Sequence, residues 1–255
     1  MRIPSLLLLA IALPAFAQTA PPQPDHLAES IQSLERWRET MIPTYMNDFG
    51  QLGRYRAANQ ALTSPKPGEQ RVIFFGDSIT DAWNLDQYFP GKGYLNRGIG
   101  GQTTSQMLVR FRQDVIDLQP AVVVILAGTN DIAGNTGPVA IQDIESNYAT
   151  LAEMARAHRV RVVFSSVLPV HDYTPQSQLM FAQRSPEKIL ALNAWLKNYC
   201  AVNGLIYLDY FAATVDEHGL LRKNLALDGL HPNDAGYKIM APLAEAAIQQ
   251  ALAQH

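Results

Sequence analysis

The stretch that most limits the fold of this chain is Ala121-Val-Val-Val-Ile-Leu-Ala-Gly128. Its aliphatic side chains follow one another with no polar residue between them. A strand made from such a run must be covered on both faces, because successive side chains point to opposite sides. The run is too short for an ordinary buried helix, is rich in β-branched residues, and ends on a glycine. Arg161-Val-Val-Phe-Ser-Ser-Val-Leu-Pro169 repeats the pattern. Strands of this kind belong to the middle of three layers.

Three further short apolar runs share this punctuation: 71–75 (RVIFF), 93–98 (GYLNRG) and 205–211 (LIYLDYF). Longer segments with helical spacing lie between and beyond them. In 103–119, Met107, Phe111, Val115 and Leu118 fall on one stripe, and 141–158, 185–203 and Asn233 to Ala253 read the same way. Strands alternating with helices make βαβ units and a mostly parallel sheet. The expected fold is therefore an α/β, three-layer α/β/α sandwich around a five-stranded, mostly parallel sheet. Its domain spans 66–255, and a linker and helical segment at 18–65 packs around the outside.

Residues 1–17 are set apart from this pattern. Arg2, an apolar run from Leu6 to Leu13 and the small-x-small Ala15-Phe16-Ala17 fit a secretory signal peptide cleaved after Ala17. The apolar run falls short of the about 20 residues that span a bilayer. A periplasmic or secreted product without stable membrane insertion is the expectation. Cys200 is the only cysteine, so no internal disulfide can form, and its helix-like surroundings make it a packing residue. With 20 Lys and Arg against 23 Asp and Glu and no basic run, the chain is not built for nucleic acid.

In an open parallel sheet, ligands bind beyond the carboxyl ends of the strands. Gly76-Asp77-Ser78, Gly98-Ile-Gly100-Gly101, Gly128-Thr129-Asn130-Asp131 and Leu168-Pro169-Val170-His171-Asp172 stand at those ends. A serine nucleophile needs a base, a group that orients the base, and donors for an oxyanion. Asp228 and His231, three residues apart in a Gly- and Pro-containing loop, are suited to orient and to accept a proton. The N–H groups of Ser78 and of the Gly100-Gly101 turn, with the amide of Asn130, are suited to donate. Each piece also has a plainer reading as a turn or a pre-helix cap. A metal reading lacks third and fourth ligands beside Asp228 and His231. A dinucleotide loop would need glycine where Thr103 stands.

Taken in order, Gly76-Asp77-Ser78-Ile79, Gly98-Ile-Gly100-Gly101, Gly128-Thr129-Asn130-Asp131 and Asp228-Gly-Leu-His231-Pro232 resemble the block motifs of the SGNH (GDSL-type) hydrolases. The similarity covers about 70–250, and GIGGQTT and AGTND are especially similar to the platelet-activating-factor acetylhydrolase-like branch. The resemblance implies a flavodoxin-like sandwich and no metal or organic cofactor. It also implies Ser78 as nucleophile, His231 as base, Asp228 as its orienting partner, and Ser78, Gly101 and Asn130 as oxyanion donors. The α/β-hydrolase elbow G-x-S-x-G is not met, because Thr80 replaces its second glycine.

The expected activity is ester hydrolysis through an acyl-enzyme, removing short acyl groups such as acetyl from carbohydrate or other small-molecule esters. Lysophospholipid or thioester hydrolysis uses the same chemistry with a longer acyl pocket. A non-catalytic carbohydrate- or nucleotide-binding module is the reading from a different class. His171, Asp172, Tyr173, the 174–184 loop, Trp83 and Tyr88 are further candidates to shape substrate access, against a simpler reading as loop and helix packing.

Overall fold

The computed structural model describes residues 24–254, so the proposed signal peptide lies outside the described residues. Strands β1 (Val72–Gly76), β2 (Leu95–Gly98), β3 (Val122–Leu126), β4 (Arg161–Ser165) and β5 (Ile206–Leu208) form one sheet in the order β2-β1-β3-β4-β5. Every neighbouring pair is parallel. This is the flavodoxin-like order, which places a topological switch between β1 and β3.

Alternation along each strand divides the core into two layers. Ile73, Phe75, Val123, Ile125, Val162 and Phe164 face one side. They pack there on Met107 and Phe111 of α5 (Thr104–Asp114), Tyr148 and Leu151 of α7 (Ile141–Ala157), and Leu192 and Leu196 of α9 (Pro186–Asn203). Val72, Phe74, Val122, Val124 and Val163 face the other, against Met240, Ala244 and Ile248 of α11 (Asp234–Ala253). The unbroken valine runs are thus explained by cover on both sides.

The helices missing from the sequence reading are mostly short: α3 (Ser78–Asp81), α4 (Leu85–Tyr88), α6 (Thr129–Ala133) and α10 (Tyr210–Thr214). They turn several strand ends into first helical turns, where N–H groups have no intrahelical partner. The 174–184 segment also differs from the expected loop. It contains α8 (Pro175–Gln183), started by a capping box between Thr174 and Ser177 with Pro175 in the first turn.

The 25–65 segment supplies α1 (Pro24–Asn47) and α2 (Gly53–Gln60). Helix α1 packs on the domain against α8. Ser30 Oγ donates to the Leu179 carbonyl at 2.9 Å, Gln183 Nε2 donates to the Ser30 carbonyl at 3.0 Å, and Arg38 donates to the Gly134 carbonyl. These bonds lay α1 along α8 and across the carboxyl edge of the sheet. Trp83 follows the packing reading and not the one that had it shape substrate access: it is buried among Phe74, Phe89 and Tyr237.

Candidate active site

Strand β1 ends at Gly76, and Asp77 caps α3 by accepting the Ile79 N–H at 3.0 Å. That cap makes Ser78 the first residue of α3, with its hydroxyl at the sheet edge. Ser78 Oγ lies 2.9 Å from His231 Nε2, and His231 Nδ1 lies 2.7 Å from Asp228 Oδ2. Asp228 Oδ1 accepts the backbone N–H groups of Leu230 at 3.1 Å and His231 at 2.8 Å. Burial resists the charge on Asp228, but the His231 side chain, these N–H donors and the nearby imidazole outweigh it and bring the carboxyl down to about 2. An ionised carboxylate accepts only. It therefore keeps the imidazole proton on Nδ1 and turns the Nε2 lone pair to Ser78.

The loop that carries the pair is closed on itself and clamped from outside. Leu227 N–H donates to the His231 carbonyl at 2.9 Å, and Asn233 caps α11 by accepting the Gly236 N–H at 3.1 Å. Tyr173 Oη accepts the Gly229 N–H at 3.0 Å and donates to the Ala226 carbonyl at 3.3 Å, while His171 N–H donates to the Gly229 carbonyl at 2.8 Å. Gly229 has φ +81°, and a Cβ there would stand 2.2 Å from the His171 carbonyl oxygen. Only glycine fits this left-handed, crowded position. His171 and Tyr173 thus support the Asp228–His231 loop, and neither lines the pocket.

Gly101 has φ +77°, and a Cβ on it would come 2.9 Å from Trp37 of α1. Its carbonyl accepts the Asn135 amide at 2.9 Å. Asn130, in the first turn of α6, is buried; its Nδ2 donates to the Gln102 carbonyl at 3.1 Å and its Oδ1 accepts Arg184 Nη2 at 3.2 Å. Neighbouring Asp131 accepts both the N–H and the hydroxyl of Thr104, tying the start of α5 to α6. Burial raises the Asp131 carboxyl to about 6 against those bonds. Asp77 is likewise pushed up to about 6 by burial, partly offset by its bond to Ile79, and its Oδ2 has no partner among the described residues.

Ser78, Gly101, Asn130 and His231 line one open cavity of about 310 Å³, with Asp228 behind His231. All five site residues expected from the sequence therefore come together. The other wall is Ser33, Leu34 and Trp37 of α1 with Leu179, Met180 and Arg184 of or beside α8. The 174–184 segment, a candidate from the sequence to shape access, does line the cavity through Leu179, Met180 and Arg184, whereas Ser33, Leu34 and Trp37 of α1 were not singled out. Tyr88 lies elsewhere, its hydroxyl on Asp234. The arrangement can deprotonate a serine, hold the resulting imidazolium beside a carboxylate, and bring N–H donors to the same cavity.

Comparisons with known proteins agree with this geometry. The sequence model of the GDSL-like lipase/acylhydrolase family matches residues 74–239. A solved structure of a putative acylhydrolase from Bacteroides fragilis is 39% identical, with 80% of this chain and 99% of that chain covered at a TM-score of 0.75. Human platelet-activating factor acetylhydrolase IB subunit alpha2 is 25% identical over 88% of this chain and 89% of its own length. The uncharacterized lipoprotein YqeF of Bacillus subtilis is 29% identical over 46% of this chain, which spans only 56% of that relative's length. The chain belongs to the GDSL-like lipase/acylhydrolase family and is a carboxylic ester hydrolase.

Proposed function

We propose that the chain is an exported serine esterase that removes short acyl groups, acetyl foremost, from carbohydrate or other small esters through an acyl-enzyme. One observation carries the reading: the continuous line from Asp228 through His231 to Ser78 opens into the cavity that Gly101 and Asn130 share. Ser78 Oγ bonds to the ester carbonyl carbon as its proton passes to His231 Nε2, and the carbonyl electrons move onto oxygen. That oxyanion is held by the N–H groups of Ser78 and Gly101 and by the Asn130 amide. Collapse expels the alcohol, which takes the proton from His231. Water, deprotonated by His231, then attacks the acyl-Ser78 ester, and Ser78 leaves with its proton restored. Asp228 stays ionised throughout and stabilises the imidazolium.

The acetyl preference is supported by the cavity size, shared between acyl group and alcohol, by the Trp37 and Leu34 wall across it, and by the name of the acetylhydrolase relative. A p-nitrophenyl ester series from two to twelve carbons, with acetylated xylan alongside, tests it. Turnover should peak at acetate. A peak at long chains would replace it by the lysophospholipase or thioesterase reading, and no hydrolysis anywhere would leave a binding module. Export rests on Arg2, the Leu6–Leu13 run and Ala15-Phe16-Ala17. The mature protein should begin at Gln18, and an intracellular product that still carries Met1 would overturn that part.

A further inference from the structure

Arg184 follows α8 and is 5% exposed, yet it makes no ion pair among the described residues. Its Nη2 donates to Asn130 Oδ1 at 3.2 Å and its Nε to Thr129 Oγ1 at 3.2 Å. Its Nη1 donates to the Met180 carbonyl and Gln183 Oε1, each at 3.3 Å. All of these acceptors are neutral, and Asp77 and Asp228 act on the charge only from farther off. Burial lowers the guanidinium to about 10, so it stays charged at neutral pH. A buried cation held only by neutral groups is costly, and an apolar side chain of similar size would be cheaper there. Arg184 also lines the cavity that holds Ser78, Gly101 and His231.

Its effect on Asn130 follows from hydrogen-bond chemistry. Guanidinium can only donate and the Gln102 carbonyl can only accept. With Arg184 on one side and that carbonyl on the other, the Asn130 amide has a single satisfied orientation. One Nδ2 hydrogen goes to Gln102, and the second is left for the cavity. A flipped amide would set its NH₂ against the guanidinium and its oxygen against the carbonyl. A charged donor on Oδ1 also polarises the amide and strengthens its N–H as a donor.

We propose that Arg184 is a positioning residue of the oxyanion site: it locks and polarises the Asn130 amide, and acts on the ester oxygen through that amide. The proposal rests on the reading of Asn130 as an oxyanion donor. A preorganised donor of this kind acts chiefly on the transition state, where the negative charge develops. Arg184 also follows α8 directly, so the helix that walls the cavity carries the group that sets the donor.

The test is a double-mutant cycle on p-nitrophenyl acetate hydrolysis, with circular dichroism and thermal melts for each variant. Asn130→Ala should lower kcat by about 10²–10³-fold. Arg184→Met should lower kcat by about 10–10²-fold, the scale of a misplaced reacting group, with KM nearly unchanged. In the Asn130→Ala background most of the Arg184→Met loss should vanish, because its target is gone. If Arg184→Met does not fold, Arg184→Lys replaces it in the cycle: it keeps the charge, loses the planar fork and should show a smaller loss with the same non-additivity. An equal loss in both backgrounds, or parent-like kcat in Arg184→Met, overturns the proposal. Parent-like Asn130→Ala would overturn the oxyanion reading itself, and this proposal with it.

Discussion

Two walls face each other across Ser78, and they are built on different principles. The first is the carboxyl edge of the sheet, where β1, β2 and β3 end in Ser78, Gly101 and Asn130. Its polar groups are fixed by backbone turns and short helices over a core covered on both faces. The second is α1 paired with α8, which contributes Leu34, Trp37, Leu179 and Met180. Several of these side chains are half-buried, and α1 carries exposed Leu27, Ile31, Ile42 and Met46 as well. Reacting groups need supporting hydrogen bonds that fix their geometry, and the sheet edge supplies them. The sheet edge is thus suited to the chemical step, and the helical wall to the size and shape of what enters. Arg184 joins them, since it follows α8 and bonds Asn130.

If this division is right, changes on the sheet edge should strike kcat and changes on the helical wall should strike substrate choice. Ser78→Ala is the severest break. Turnover should fall on the order of 10⁶-fold, the scale for loss of a serine nucleophile. An alanine variant as active as the parent would sink the mechanism. His231→Ala should be nearly as harmful, whereas Asp228→Asn should cost about 10⁴-fold because it spoils the imidazole tautomer but spares the base. Steady-state rates that rank Asp228→Asn below His231→Ala would contradict the orienting role of the carboxylate.

On the other wall, Trp37→Ala should change acetate turnover by less than about tenfold, since no reacting atom is lost. It should instead move the optimum of the ester series toward longer chains, because space opens beside Gly101. An unchanged chain-length profile would show that α1 does not select the acyl group.

The smallest effect on turnover belongs to Asp77→Asn, which keeps an oxygen for the Ile79 cap and removes a buried charge. The folded-state pKa of Asp77 is raised to about 6, above the about 3.9 of an unfolded aspartate. The folded state therefore binds this proton more tightly. The resulting stability is fully present below about pH 4 and lost as pH rises through about 6. The asparagine variant should gain on the parent across that window, by up to about 3 kcal/mol, then hold a constant lead. Denaturant melts at pH 4, 5, 6 and 7 check this. A constant difference between the two proteins at all four would contradict the buried-charge account.

Asp77 and Asp228 also mark what could be seen from residue order. Both are aspartates within three residues of a proposed catalytic group, and their motifs were legible because each lies in one short loop. Their opposite shifts were not, because one comes from full burial and the other from the His231, Leu230 and backbone partners of a folded loop. Strands β3 and β4 were legible because burial on both faces forces continuous apolar runs. Helix α8 was not, because Leu179-Met180-Phe181 stand side by side after the polar Gln176-Ser177-Gln178 and no stripe of helical period forms. The 25–65 segment read correctly as helical, but its place could not be read, since Trp37 meets Gly101 across a long separation in the chain.

Residue order alone determined the alternation of strands and helices, the sheet layers and the identity of the groups at the strand ends. Those features depend on contiguous patterns: side-chain period, glycine turns and cap residues. Tertiary structure decided which helices close the cavity, which way the Asn130 amide faces, and which carboxyl is held ionised. Those depend on burial and on partners far away in sequence, Arg184 and Trp37 among them, and burial exists only once the layers have packed.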